Sequence, residues 1–294
     1  TAYAAVAFTP ATYGHVRSIE HTHAMIEKLA SMRDELLIDH RVHGRFEVTF
    51  LPAIEEAKVL INAGALHLIS LMDHTPGQGQ YRDIELHIAN TAKVKKISET
   101  QAAEMVRQRM AARSEHGDSM DIINGLAELA REHGVVLASH DDDTVEKAAL
   151  LHSLGAAISE FPINIATATE ARRLGLATAM GAPNALRGLS YSGNLSAREA
   201  YEAGVLDILA SDYPPSAILP AVIALAEIGK GGLPASVALA SANPAKALGL
   251  HDRGRICEGL RADFVIAERG KVPRVRGTIR SGKMIWSDGS IKGF

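Results

Sequence analysis

The stretch GVVLASHDDDTVEKAALLHSLG, residues 134–155, contains the unit from which most of this chain is built. An apolar run of strand length ends in a histidine and three aspartates, an amphipathic segment with helical spacing follows, and a glycine closes it. The same order recurs along the sequence. Strands are expected at 2–8, 45–50, 65–72, 134–139, 156–159, 176–180 and 205–211. Helices are expected over 18–37, 52–63, a long charged pair from about 98 to 133, then 144–153, 167–174, 195–203 and 215–228. Gly64, Gly134, Gly155, Gly175 and Gly204 each stand just before a strand, where a helix C-cap would fall. Such alternation argues for an α/β fold with a parallel sheet. Seven strand-helix units are one short of the eight that close a TIM (β/α)8 barrel, and a doubly wound sheet also accepts seven. The polar residues favour the barrel. Glu47, Asp73, His74, His140, Asp141, Glu160, Asn184 and Asp212 fall at or just past the C-terminal ends of strands, where such barrels carry their catalytic groups.

From about residue 250 the pattern changes. RADFVIAERGKVPRVRGTIRSGKMIWSDGS alternates apolar and polar residues with glycine turns, which predicts a small antiparallel unit. The expected organisation is therefore a barrel over 1–249 that lacks its first strand, and the C-terminal part of a small β-sandwich over 250–294. The opening TAYAAVAFTP enters what reads as a core strand at once, so the eighth strand and the partners of the tail are expected upstream of Thr1.

Composition narrows the function. A net charge of −3 gives no electrostatic reason to expect nucleic acid or a membrane surface as partner. Cys257 is the single cysteine, so an intrachain disulfide and a Cys-rich metal site are both ruled out, and a reducing compartment is the simpler setting. No apolar run approaches the ~20 residues that span a bilayer, and the start lacks the layout of a signal peptide. A cytoplasmic protein acting on a small molecule is expected, and a homo-oligomer is compatible with the sequence.

Asp, Glu and His on separate strand ends make a ligand set suited to zinc, manganese or iron, and a bridging carboxylate would let two ions share it. Taken singly, each such residue has a structural explanation. His140 could hydrogen-bond at its strand end, and Asp142, Asp143 or Thr144 could cap the next helix. His40 and His43 precede their expected strand and would lie at the opposite, stabilising face. The loop MGAPNALRGLSYSGN, 180–194, offers hydroxyls, amides and Arg187 for an anion such as phosphate, or is only a polar loop. HTPGQGQYRD, 74–83, offers Gln78, Gln80 and Arg82 on a glycine-rich segment.

MDHTPGQGQYRD, LASHDDDT, SEFP, MGAPNALRG, SGN, LASDYPP and NPAKALGLHDRGRICEGLRADFVI, in this order and spacing, resemble the PhnM family of alpha-D-ribose 1-methylphosphonate 5-triphosphate diphosphatases, within the amidohydrolase superfamily. The resemblance covers nearly the whole chain. It implies a metal-bearing TIM barrel joined to a small β-sandwich, one or two divalent ions (zinc, with manganese or iron as alternatives), and a phosphorylated sugar phosphonate as substrate. Carried over by motif, Glu47, His74, His140 and Asp212 would hold metal, and Asp212 would act as general base. Asp141, Gln78, Arg82, Asn184, Arg187, Ser190, Ser192 and Asn194 would contact substrate. The enzymatic alternative is a related amidohydrolase cleaving a C–N bond; an inactive binding homologue is the other. Two departures stand out. The paired His-x-His or His-x-Asp of the first barrel strand does not precede residue 2, and Tyr191 stands where the family loop usually has histidine. A tyrosine keeps a hydroxyl but lacks a neutral imidazole's basic nitrogen, so this position bears on substrate preference and activity.

Overall fold

Four parallel strands in chain order form the sheet of the first of two units, Thr1–Ala156: β1 (Ala2–Phe8), β2 (His40–Glu47), β3 (Leu68–Met72) and β4 (Val136–His140). The computed structural model describes residues 1–9, 18–77, 79–81, 83–114, 119–190, 193–270 and 272–291. Helices connect these strands: α1 (Ile19–Ser31), α2 (Leu51–Asn62), then α3 (Ile84–Lys95), α4 (Glu99–Ser114) and α5 (Ser119–Glu132), with α6 (Val145–Ser153) after β4. Pairing of successive strands by way of helices is the βαβ pattern of TIM-barrel-like α/β proteins.

Strand β2 differs from the expected span. It begins at His40 and ends at Glu47, so His40 and His43 lie inside the strand rather than ahead of it. A polar strand residue can be buried if its ring is satisfied, and His43 Nε2 meets Ser70 Oγ at 2.6 Å. On the other face Phe46 is fully buried and stacks on its register partner Phe8, with ring centroids 4.7 Å apart. Gly44 leaves room for this, since a Cβ there would lie 2.5 Å from the Phe46 ring.

His67, just ahead of β3, extends the ladder. Its N–H donates to Val42 O, its carbonyl accepts from Val136 N, and its Nδ1 accepts the Val42 N–H at 3.2 Å. Burial, then the charges of Arg41 and Arg33, hold its pKa below the ordinary 6.5 against a smaller opposing effect of Asp39. The folded chain therefore binds this proton less readily than the unfolded chain. The stabilisation is complete above about 6.5 and is lost as pH falls below that value toward the folded pKa. Urea unfolding should show wild type losing more stability than His67→Asn between about pH 7.5 and about 5.5. Equal losses would refute the assignment.

The second unit, Ala157–Phe294, continues the pattern with parallel strands β5 (Ile158–Glu160), β6 (Ala177–Gly181) and β7 (Ile208–Ala210). Its helices are α7 (Ile165–Arg173), α8 (Ala182–Arg187), α9 (Ala197–Glu202), α10 (Ile218–Ile228), α11 (Gly232–Ala238) and α12 (Ala242–Ala247). Its core is rich in small side chains, with Ala182, Ala185, Ala197, Ala200 and Ala221 packed among Met180, Leu209, Val222 and Leu225. Ser196 and Glu199 form a complete capping box at the start of α9. The five glycines ahead of strands all take positive φ, from 66° to 87° and 94°, as helix ends require.

An antiparallel sheet closes the chain: β8 (Phe264–Glu268), β9 (Arg274–Arg280) and β10 (Lys283–Ser287), with β9 in the middle. Just after it, the Ser290 hydroxyl, then Arg276 and the Ser290 N–H, hold Asp288 down to about 2. Its contribution is thus present above the ordinary carboxylate value and is lost only as pH falls through about 2. A carbon-detected NMR titration should place the Asp288 midpoint there and show it rising in Ser290→Ala. A midpoint that does not move would contradict the hydrogen-bond origin.

Candidate active site

In the first unit the site is assembled where β2, β3 and β4 end. Alternation along β2 sets His43, Arg45 and Glu47 on one face, opposite Val42, Gly44 and Phe46. Glu47 is 3% exposed. Its carboxylate accepts the His74 backbone N–H at 2.9 Å and pairs with His74 Nδ1 at 2.8 Å. That arrangement fixes the ring and directs Nε2 away from Glu47, toward Asp141 Oδ2 at 3.8 Å.

His140, the last residue of β4, is 4% exposed and sits edge-on to the His74 ring, with centroids 5.7 Å apart. Its Nδ1 lies 3.2 Å from Asp141 Oδ2, and its Nε2 lies 2.6 Å from Arg45 Nη2. Asp141 adopts φ 52°, a left-handed conformation that aspartate tolerates better than most residues. Burial alone would push the Asp141 carboxyl up; the charge of His140 and its hydrogen bond, then the charges of His74 and Lys147, outweigh it and leave the pKa below its ordinary value.

Ligand atoms of His74, His140 and Asp141 all lie within 4.8 Å of one another. Asp141 Oδ2 is buried and faces both rings, 3.2 Å from His140 Nδ1 and 3.8 Å from His74 Nε2. A buried carboxylate oxygen between two imidazoles suits a divalent cation, and nitrogen with oxygen donors suits zinc, manganese or iron.

The acidic run divides into separate tasks. Thr144, not an aspartate, caps α6 by accepting the Lys147 N–H. Asp142 is fully buried and accepts the Ser139 hydroxyl. Asp143 accepts the Gly79 N–H at 2.9 Å, tying the glycine-rich loop after β3 to the end of β4. Lys147 Nζ bonds the carbonyls of His140 and Asp141 at 3.0 and 3.3 Å. The expectation that Asp142 and Asp143 merely begin the helix is thus corrected: both are anchored to other parts of the site's framework.

In the second unit Asp212 follows β7 with φ 55°. Its Oδ2 lies 3.5 Å from the point where a Cβ on Gly181 would stand. Asn184 and Arg187 lie on α8, a helix inside what was expected to be a continuous loop. Asn184 Oδ1 accepts the Ala197 N–H at 2.9 Å, and Arg187 Nη1 donates to the Tyr213 hydroxyl at 3.0 Å. Ser190 and Asn194 are half-buried. Gln78, Arg82, Tyr191 and Ser192 lie outside the described residues.

Sequence reasoning did not single out Arg45 or Lys147. Arg45 was detectable as the residue two before Glu47 on the same strand face; Lys147 carried no signal, because its role depends on the backbone turn it spans.

The strand-helix order and the histidine-carboxylate group at the strand ends define a class. The chain belongs to the amidohydrolase family, whose model matches residues 18–285. It is similar to the alpha-D-ribose 1-methylphosphonate 5-triphosphate diphosphatase of Escherichia coli, with 39% identity over 236 residues, 79% of this chain. The chain spans 61% of the length of that relative. Among solved structures, an uncharacterized protein superposes with a TM-score of 0.57 at 12% identity, covering 88% of this chain and 72% of that one, a likeness of fold. The N-acetylglucosamine-6-phosphate deacetylase of Thermotoga maritima gives 0.49 at 16% identity, covering 88% and 83%. Among the described residues no helix is long and apolar enough to cross a membrane.

Proposed function

We propose that this chain acts as a cytoplasmic, metal-dependent hydrolase of phosphonate catabolism that cleaves alpha-D-ribose 1-methylphosphonate 5-triphosphate and releases pyrophosphate. What carries the reading is the convergence of His74, His140 and Asp141 in a chain 39% identical to a diphosphatase of that specificity. In this reading residues 1–249 belong to the hydrolase barrel and 250–294 to a small β-sandwich.

His74 and His140, with Glu47 and Asp212, would hold zinc or a similar ion, and the closeness of Asp141 to both imidazoles adds it to that set. When bound, such an ion supplies positive charge that makes water acidic enough to ionise near neutral pH. Asp212 takes the proton of the attacking water, whose oxygen bonds to the phosphorus nearest the ribose. The bond from that phosphorus to the bridging oxygen breaks, and pyrophosphate leaves with the electron pair. Arg187 offsets the negative charge that develops, and Gln78, Arg82, Asn184, Ser190, Ser192 and Asn194 orient the phosphoryl oxygens and the sugar.

Phosphorus NMR of the reaction in oxygen-18 water tests this. Label should appear in the ribose 5-phosphate product and none in pyrophosphate. Release of ammonia from cyclic amides, with no pyrophosphate, would replace the reading by C–N hydrolysis. Release of neither, with less than about one equivalent of tightly held metal, would indicate a binding homologue.

A further inference from the structure

Phe161 adopts φ 58° immediately before Pro162. Both features are adverse: a bulky side chain is strained in the left-handed region, and a following proline favours extended backbone. Glycine would sit there without strain. The conformation is pinned by the Phe161 N–H, which donates to Ala179 O at 2.9 Å. Strain of this kind persists where the surrounding fold imposes it, and it gathers at sites that bind or react.

The ring is placed beside a reactive group. Phe161 Cε1 and Asp212 Oδ2 lie 3.6 and 3.5 Å from a single point, the position of the Cβ that Gly181 lacks. Unlike Phe8 and Phe46, which are fully buried, Phe161 is half-buried, so part of its surface is open. An uncharged ring gives nothing to a triphosphate or a phosphonate. It suits the carbon-bound hydrogens of a sugar, whose positive edge meets the negative face of an aromatic ring.

We propose that Phe161 is a specificity-determining residue whose ring packs against the pentose of the substrate beside the Asp212 carboxylate. This rests on the function proposed above for its choice of sugar.

The test is Phe161→Gly, with two independent readouts. The variant should unfold no earlier than wild type, because the strain is relieved. Its kcat/KM for ribose 5-triphosphate, relative to that for inorganic triphosphate, should fall at least about tenfold. Saturation-transfer NMR with methyl ribofuranoside 5-phosphate should show transfer to ribose ring protons in wild type that drops by roughly half or more in the variant. A lower Tm with an unchanged selectivity ratio would make Phe161 a structural residue and overturn the proposal. Absence of transfer in both proteins would overturn it too. If wild type releases no pyrophosphate yet the NMR transfer still depends on Phe161, the proposed reaction fails and the pentose contact stands.

Discussion

Asp212→Asn should lower kcat for pyrophosphate release by about 10²–10⁴-fold with little change in KM and a nearly unaltered Tm, the range expected when one general base is removed. The fold is spared because Asp212 sits at φ 55°, a conformation that asparagine adopts at least as readily. Asn also keeps nearly the same volume against Gly181, where the nearest carboxylate oxygen is 3.5 Å from the position of a Cβ. What changes is the capacity to accept a proton near neutral pH and the negative charge that would help hold the ion, both of which an amide lacks. Turnover near the wild-type rate would remove Asp212 from the reaction. A collapse in Tm would instead mean that the carboxylate is structural.

Phe46→Ala should cost about 3–5 kcal/mol of stability in urea unfolding, the usual scale for removing a fully buried aromatic ring. Phe46 is 0% exposed, its ring lies nearly parallel to Phe8, and it packs so closely over Gly44 that a methyl group there would collide with it. The residues on either side, Arg45 and Glu47, project from the opposite face of the same strand toward His140 and His74. The variant should therefore also bind metal less tightly, which metal analysis after dialysis would show. A loss below about 1 kcal/mol would mean that the cavity collapses around Phe8.

The fold was largely legible because its signals are local. β1 has the bounds expected from AYAAVAF, and each glycine assigned to a helix end has the backbone sign that role demands. Where expectation and structure part, the deciding interaction is remote in sequence. The segment HRVH was expected ahead of its strand, and Ser70, on the next strand, helps make His43 tolerable inside. Helix α3 was not anticipated, because ELHIANTAKVK buries only His87 and Ala92 and shows no apolar stripe. At the site, Glu47, His74 and His140 were visible as polar residues ending apolar runs. The place of Asp141 beside both imidazoles was not, since it depends on a left-handed turn that composition does not reveal.

The bond from the Gly79 N–H to Asp143 spans 64 positions of sequence and fastens DHTPGQGQYRD to SHDDD. Gly79 is itself hemmed in, since a Cβ there would come within 3.2 Å of the Asp141 carbonyl at φ 51°. The two motifs thus behave as one interchangeable part. A designer moving the glycine-rich loop to another barrel would have to bring the acidic run with it, and a lineage drifting in one would find the other already constraining its choices.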